Sequence, residues 1–523
     1  MAVITGTLGD DTLRGTMGDD TLISMSGHDV LFGRGGSDTY QLDFQSMPLS
    51  PRRYFAINES YGGDASVDTI TGLGGLVLYH FGGVQEFTLF SRSGTDGKNL
   101  NIATASSPSW YNQVGYQSGD IRIFNQYNAA IPEAQIELLV IGSTTYNLLT
   151  VDTGTAGNDI MTGWHTSDTL FGGDGNDYIS GGGVRDDLHG EDGNDTIFGG
   201  RGNDYVYGGL GQDRLFGGSQ NDRIWGGDGN DVIDGGIGRD RLRGESGDDV
   251  LKGGNGIDHL FGGTGSDTLA GGAGDDRLAG GANRDVYSVS TLEAQHDTIV
   301  ENGHAPSPTL SGWSNYERDV IEVLDFASYE EAIHNIAFNI VGNDLIITYT
   351  NPAMAAGTNG TITITGQYAN AQQAVELISF GVAGGNLAYE GTQAHHLSLL
   401  DGDDFTYSVH SYADWGGEDI VLGTSGDDEI YGGLANDILS GLGGADVFMF
   451  HDEEDNIPGH DIILDFNIAD DLIDVSETGV GSFAGLTIAD NSWGNAVVSS
   501  AFFDIELAGV TAAEVTADIF VFV

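Results

Sequence analysis

The 523-residue chain contains no cysteine. That absence rules out a disulfide framework and any thiolate metal site. It suits an exported protein that folds without oxidation. Lysine is nearly missing as well, with only Lys98 and Lys252 present. Lys and Arg total 18 against 78 Asp and Glu, a formal net charge of −60. Nucleic acid and anionic lipid both need positive charge, so neither is an expected partner. No apolar run is long enough to cross a membrane as a helix, so no membrane span is expected. Met1 to Asp11 has no basic stretch and no apolar core, and does not read as a Sec-type signal peptide. Catalytic motifs are missing too. There is no His-Glu-x-x-His, no Gly-x-Ser-x-Gly and no Gly-x-x-x-x-Gly-Lys-Ser/Thr.

What is abundant is glycine, at 84 residues, and aspartate. Composition alone would suggest disorder, but the spacing argues against it. From Gly154 to Ser288 the chain repeats every nine residues without a slip. Asp stands at Asp159, Asp168, Asp177, Asp186, Asp195, Asp204, Asp213, Asp222, Asp231, Asp240, Asp249, Asp258, Asp267, Asp276 and Asp285. A Gly precedes each Asp by five residues, among them Gly172, Gly190, Gly199, Gly208, Gly226 and Gly235. Two residues after each Asp comes an apolar side chain, from Met161 and Leu170 to Leu278 and Tyr287. A shorter block has Asp11, Asp20, Asp29 and Asp38, followed by Leu13, Leu22, Leu31 and Tyr40. Another has Asp428, Asp437 and Asp446, followed by Ile430, Leu439 and Phe448.

These residue types fit one chemistry. Glycine lets the backbone turn tightly and point carbonyls inward, and Asp adds a hard anionic oxygen. Calcium accepts six to eight oxygens in loose geometry, whereas zinc prefers His or Cys and magnesium demands a strict octahedron. The residues after each Asp predict a short strand with one inward side chain. Two nonamers then make a turn, and loops 18 residues apart lie above one another, with ions between them. The long block offers about thirteen such gaps. All 22 Asp residues named above, with the six glycines, are candidate ligands. Thr166, Val184, Gln220, Asn283 and Ala435 replace the fourth-position Gly, so distorted loops are expected there.

The pattern Gly-Gly-x-Gly-x-Asp-x-apolar-x resembles the RTX, or haemolysin-type, calcium-binding repeat. Gly172-Gly173-Asp174-Gly175-Asn176-Asp177 and Gly226-Gly227-Asp228-Gly229-Asn230-Asp231 match it fully. The resemblance implies an all-β protein in which parallel β-roll blocks alternate with small antiparallel β modules. It also implies many bound Ca²⁺ ions and an extracellular or cell-surface location. The expected division is roll blocks at 1–41, 151–287 and 423–449, β modules or caps at 42–150 and 288–392, a connection at 393–422, and a C-terminal cap with secretion signal at 450–523.

The two modules resemble each other, and each contains a strand-like stretch of alternating apolar residues, Phe87 to Ala103 and Phe338 to Thr350, that reads as antiparallel β structure. Gly119 to Tyr127 parallels Gly360 to Tyr368, and Ile136-Glu137-Leu138 parallels Val375-Glu376-Leu377. They look like the domain that accompanies haemolysin-type repeats. Covering the open ends of a solenoid is one role for them, and ligand binding through Tyr54, Phe55, Trp110, Tyr111, Trp313 and Tyr316 is another. His395 and His396 are neighbours on a strand, face opposite sides and make a poor zinc pair. The segment after Asp446 resembles the roll closure of serralysin-type proteins. The end, Asp518-Ile519-Phe520-Val521-Phe522-Val523, resembles a signal read by type I exporters.

The sequence therefore reads as a secreted, non-enzymatic calcium-binding protein that folds on extracellular Ca²⁺. Its expected role is structural or adhesive, with the exporter, further copies of itself in a surface layer or fibre, or cell-surface glycans as partners. The alternative is a secreted enzyme with an unrecognised site in 42–150 or 288–392.

Overall fold

The computed structural model describes, with short gaps, residues 2–42, 152–300, 319–365 and 419–522, and mainly strand backbones in 55–148 and 377–399. The aromatic candidates in the modules and the side chains of His395 and His396 lie outside the described residues. The fold is all-β; the described residues add one short helix at Tyr329–Ile333 and two 3-10 turns. It forms two compact units, Met1–Asn255 and Gly256–Val523.

In the first unit each nonamer supplies one strand, and strands 18 residues apart pair in parallel. Thr196–Arg201 aligns Thr196 with Arg214 and Ile197 with Leu215. Asp187–Asp192 aligns Leu188 with Val206 on the opposite sheet. Two nonamers therefore make one turn. The side chain two residues after each Asp points between the sheets. Ile179, Leu188, Ile197, Val206, Leu215, Ile224, Ile233 and Leu242 are all fully buried. Burying each contributes about 1.5–3 kcal/mol relative to exposure. On the outer face the same register stacks rings. Phe171, His189, Tyr207 and Trp225 follow one another at 4.6 Å between ring centroids.

The segment between the first two roll blocks is stitched into these ladders. Phe87–Ser93 and Asn99–Ala105 form an antiparallel hairpin, as the alternation of apolar residues predicts. Ile121–Phe124 pairs antiparallel with that hairpin and parallel with Phe55–Asn58. Leu138–Ile141 pairs parallel with Thr69–Thr71 and antiparallel with Thr144–Leu148, which pairs parallel with Asp159–Thr162.

The second unit repeats this device. Ile336–Val341 and Asp344–Tyr349 form the hairpin, and Gly360–Thr365 joins it antiparallel while pairing parallel with His296–Val300. Leu377–Val382 pairs parallel with Val320–Phe326 and antiparallel with Ala394–Leu399, which pairs parallel with Asp419–Leu422. The sequence parallel between the modules thus corresponds to equivalent strands. The C-terminal segment shows a third variation: Thr487–Asp490, Ala496–Ser499 and Asp504–Leu507 are antiparallel, and the last pairs parallel with His460–Ile463. Phe520–Val521 adds a parallel rung beside Leu472–Glu477, so the tail is packed into the sheet.

A buried carboxylate joins this C-terminal segment to the second module. Glu506 is 2% exposed; it accepts hydrogen bonds from His334 Nε2 at 2.5 Å and Asn495 Nδ2 at 2.6 Å. His460 Nε2 lies 3.5 Å from its other oxygen, and His460 Nδ1 is 3.0 Å from Asp504. The His334 ring stacks on Trp493 at 4.5 Å. Burial pushes Glu506 up, but hydrogen bonds from His334, His460, Asn495 and Asn491 outweigh it and hold it well below the carboxylate range. His460 is raised to about 9, chiefly by Glu506 and against burial. A raised histidine stabilises the fold fully below its unfolded value near 6.5 and loses that contribution as pH climbs through about 9. The melting temperature of the calcium-loaded protein is therefore expected to fall between pH 6.5 and 9, and Glu506→Gln should lower it at pH 6.5 and flatten the fall. Thermal melts across that range check this, and an unchanged slope in the variant contradicts it.

Candidate metal sites

The repeat aspartates form ladders along both edges of the roll. The backbone N–H of each donates to Oδ1 of the Asp one turn later. The distance is 2.7 Å from Asp177 to Asp195, 2.8 Å from Asp186 to Asp204 and 2.8 Å from Asp213 to Asp231. The ladder runs from Asp159 to Asp249 in the first unit, and Asp258, Asp267, Asp276 and Asp285 continue the pattern in the second. Using Oδ1 in this way turns Oδ2 into the loop interior. There the Oδ2 atoms of Asp177, Asp186, Asp195, Asp204, Asp213, Asp222, Asp231 and Asp276 are buried and accept no hydrogen bond. A buried anionic oxygen without a donor is costly, and a cation is the partner that removes the cost.

Glycine makes room for that oxygen. A methyl group on Gly199 would lie 2.7 Å from Asp204 Oδ2 and 2.6 Å from the carbonyl oxygen of Gly217. A carboxylate oxygen and a carbonyl oxygen from successive turns thus crowd over one hydrogen-only position. Gly172, Gly190, Gly208, Gly226 and Gly235 sit in the same relation to their own Asp and to a carbonyl one turn on. Among the described residues no three His, Cys, Asp or Glu side chains converge on a common point. The donor set is therefore one carboxylate per loop plus backbone carbonyls. Hard oxygens in a loose cage fit calcium and offer nothing to a softer metal.

Electrostatics agree with the geometry. Burial raises Asp195 to about 8, against the hydrogen bond from Asp177. Burial likewise raises Asp231 to about 8 and Asp222 to about 9. Unneutralised, each such carboxylate opposes winding at neutral pH, because the wound roll favours its protonated form more than the open chain does.

The expectation of distorted loops is not met at two positions. Gln220 at φ 81° and Asn283 at φ 80° keep the left-handed backbone that glycine holds elsewhere. Glu191 and Glu245 do the same at the second position. Each such residue costs about 1–2 kcal/mol, so the loop geometry outweighs the local preference. Ala435 lies outside the described residues.

The other candidates vary in setting. Asp168 is partly exposed and accepts from Thr166 Oγ1 at 2.9 Å. Asp11, Asp20, Asp159 and Asp428 accept hydrogen bonds at Oδ2 from threonines of their own loops. Asp240 is buried within the ladder and accepts from Asp222. Asp437 and Asp446 donate to Asp461 and Asp471. The side chain of Asp29 and the whole of Asp38 lie outside the described residues.

Two sets of residues escape the nine-residue count. Asp297, Asp319, Asp461 and Asp471 take the N–H of Asp276, Asp285, Asp437 and Asp446, extending each ladder beyond the repeats. Their shared Asp-x-apolar signature is the signal that would have found them. Asparagines just before the repeat Asp form a second ladder: Asn176 Oδ1 accepts from Asn194 N–H, and Asn194 Oδ1 from Gln212 N–H, each at 2.8 Å. The recurring Gly-Asn-Asp marks them in the sequence.

The family of RTX calcium-binding nonapeptide repeats matches residues 5–40, 153–287 and 416–448. These stretches of the chain are RTX repeats, and repeats of this kind bind Ca²⁺. No curated protein matches it. A solved structure, the extracellular lipase LipA from Serratia marcescens, shares 18% identity over 58% of this chain, with a TM-score of 0.17. This chain spans 40% of that lipase's length, and a likeness so slight says nothing about activity.

Asp231 lies in a full Gly-Gly-x-Gly-x-Asp loop. Asp231→Ala is expected to remove at least one calcium ion from the full chain and to cost about 1–3 kcal/mol of stability in calcium. Calorimetric titration and melting check this. An unchanged ion count would contradict the assignment.

Proposed function

We propose that the protein is a secreted calcium-binding scaffold whose rolls wind when extracellular Ca²⁺ fills the glycine loops. The observation that carries this reading is the row of buried Asp Oδ2 atoms without a donor. Bound calcium would supply the positive charge those oxygens lack, and the Asp and Gly residues named from the sequence are the proposed ligand set, apart from Asp11, Asp20, Asp159 and Asp428, whose Oδ2 atoms accept hydrogen bonds from their own loops. The fold does not preform the sites in an open chain, so binding and folding are coupled. Extracellular calcium modules bind at roughly 10⁻⁴–10⁻³ M, which leaves such a chain open in the cytosol and wound outside.

The role proposed is structural or adhesive, with about a dozen or more ions bound. The segments 42–150 and 288–392 act as modules that interrupt the rolls, and 450–523 as a cap bearing the export signal. A type I exporter, further copies of the chain and cell-surface glycans are the proposed partners. The non-enzymatic reading rests on the missing catalytic motifs.

Far-ultraviolet circular dichroism of the full chain tests the coupling. Ca²⁺ is expected to induce β structure from a chelated sample, and the same concentration of Mg²⁺ to induce little, because Mg²⁺ keeps its waters. Equal responses to the two ions would overturn the reading.

A further inference from the structure

Three roll blocks begin with a loop that departs from Gly-Gly in the same way. Gly6-Thr7, Gly15-Thr16, Gly154-Thr155 and Gly423-Thr424 put threonine at the second position. In every case the Thr backbone N–H donates to Oδ2 of the Asp four residues later. The distance is 2.5 Å for Thr7–Asp11, Thr16–Asp20 and Thr155–Asp159, and 2.7 Å for Thr424–Asp428. The hydroxyl adds a second bond to the same carboxylate, at 2.8 Å in the first two loops and 3.1 Å in the other two.

The oxygen that lacks a donor in Asp177, Asp195 or Asp231 is thus held here by the loop itself. The backbone explains the difference. Gly173, the second residue of a full loop, has φ 101°. A β-branched threonine avoids that region and instead turns its N–H toward the carboxylate. An inward N–H dipole carries positive charge where a cation would have to sit.

We propose that these four Gly-Thr loops take no calcium and close by their own hydrogen bonds, giving each block a metal-independent first loop on which calcium-filled loops stack. Asp11, Asp20, Asp159 and Asp428 would then be anchoring residues and not ligands. This inference rests on the reading that the Gly-Gly loops bind calcium.

The test counts ions bound by the full chain at saturating Ca²⁺, using equilibrium dialysis with circular dichroism to confirm folding. Asp159→Asn and Asp428→Asn are expected to leave the count at the wild-type value, since an amide oxygen still accepts the Thr N–H. Asp231→Asn should lower it by at least one ion. Thr155→Gly rebuilds a Gly-Gly-x-Gly-x-Asp loop and should add one ion. Loss of an ion in folded Asp159→Asn or Asp428→Asn would overturn the proposal. If those variants fail to fold, Thr155→Gly decides: a gained ion supports it and an unchanged count overturns it. An unchanged count in Asp231→Asn would instead overturn the calcium reading of the Gly-Gly loops, and this proposal with it.

Discussion

One hydrogen bond organises the rolls: the N–H of each repeat Asp to Oδ1 of the Asp one turn later, as from Asp195 to Asp213. It fixes the 18-residue register and commits one carboxylate oxygen to the ladder. In loops such as those of Asp177, Asp195 and Asp231 the other oxygen then faces the loop interior, where the chain supplies carbonyls and no donor. A chain of net charge −60 cannot bury many such oxygens unaided. The ladder that builds the fold is therefore also what makes it dependent on a cation.

The rest of the roll follows from that constraint. Glycine five residues before each Asp is required because a side chain there would strike the carboxylate, as at Gly199. Non-glycine residues at Glu191, Gln220, Glu245 and Asn283 accept a left-handed backbone and do not reshape their loops. The single apolar side chain per nonamer forms a narrow core, and the outward ladders of Asn176 and Asn194 and of Tyr207 and Trp225 repeat the register on the outside. Where the nonamers stop, Asp297, Asp319, Asp461 and Asp471 receive the last N–H groups, and antiparallel hairpins take over.

The nine-residue spacing made the roll legible: it placed the strands, the inward residues from Met161 to Tyr287 and the two nonamers per turn. Alternation of apolar residues likewise anticipated the hairpin at Phe338 to Thr350. What spacing did not reveal depends on donors. Asp159 and Asp231 occupy the same place in the pattern, yet Thr155 occupies the carboxylate oxygen of the first while that of the second accepts nothing. The ladder extensions were hidden because the intervals of 21, 34, 24 and 25 residues break the period. Contact between His334 and Glu506, 172 residues apart, has no local signature at all. The parallel docking of Ile121–Phe124 and Gly360–Thr365 onto Phe55–Asn58 and His296–Val300, which continue the roll ladders, was equally invisible, since alternation marks a strand but not its partner.

The central claim is that cations and not the chain alone hold the rolls wound. Small-angle scattering of the full protein at neutral pH and low salt, first in excess chelator and then with Ca²⁺ added, tests it directly. The account predicts an expanded chain in chelator and a marked, cooperative fall in radius of gyration on adding calcium. A protein already compact in chelator, with no change on adding calcium, would contradict it.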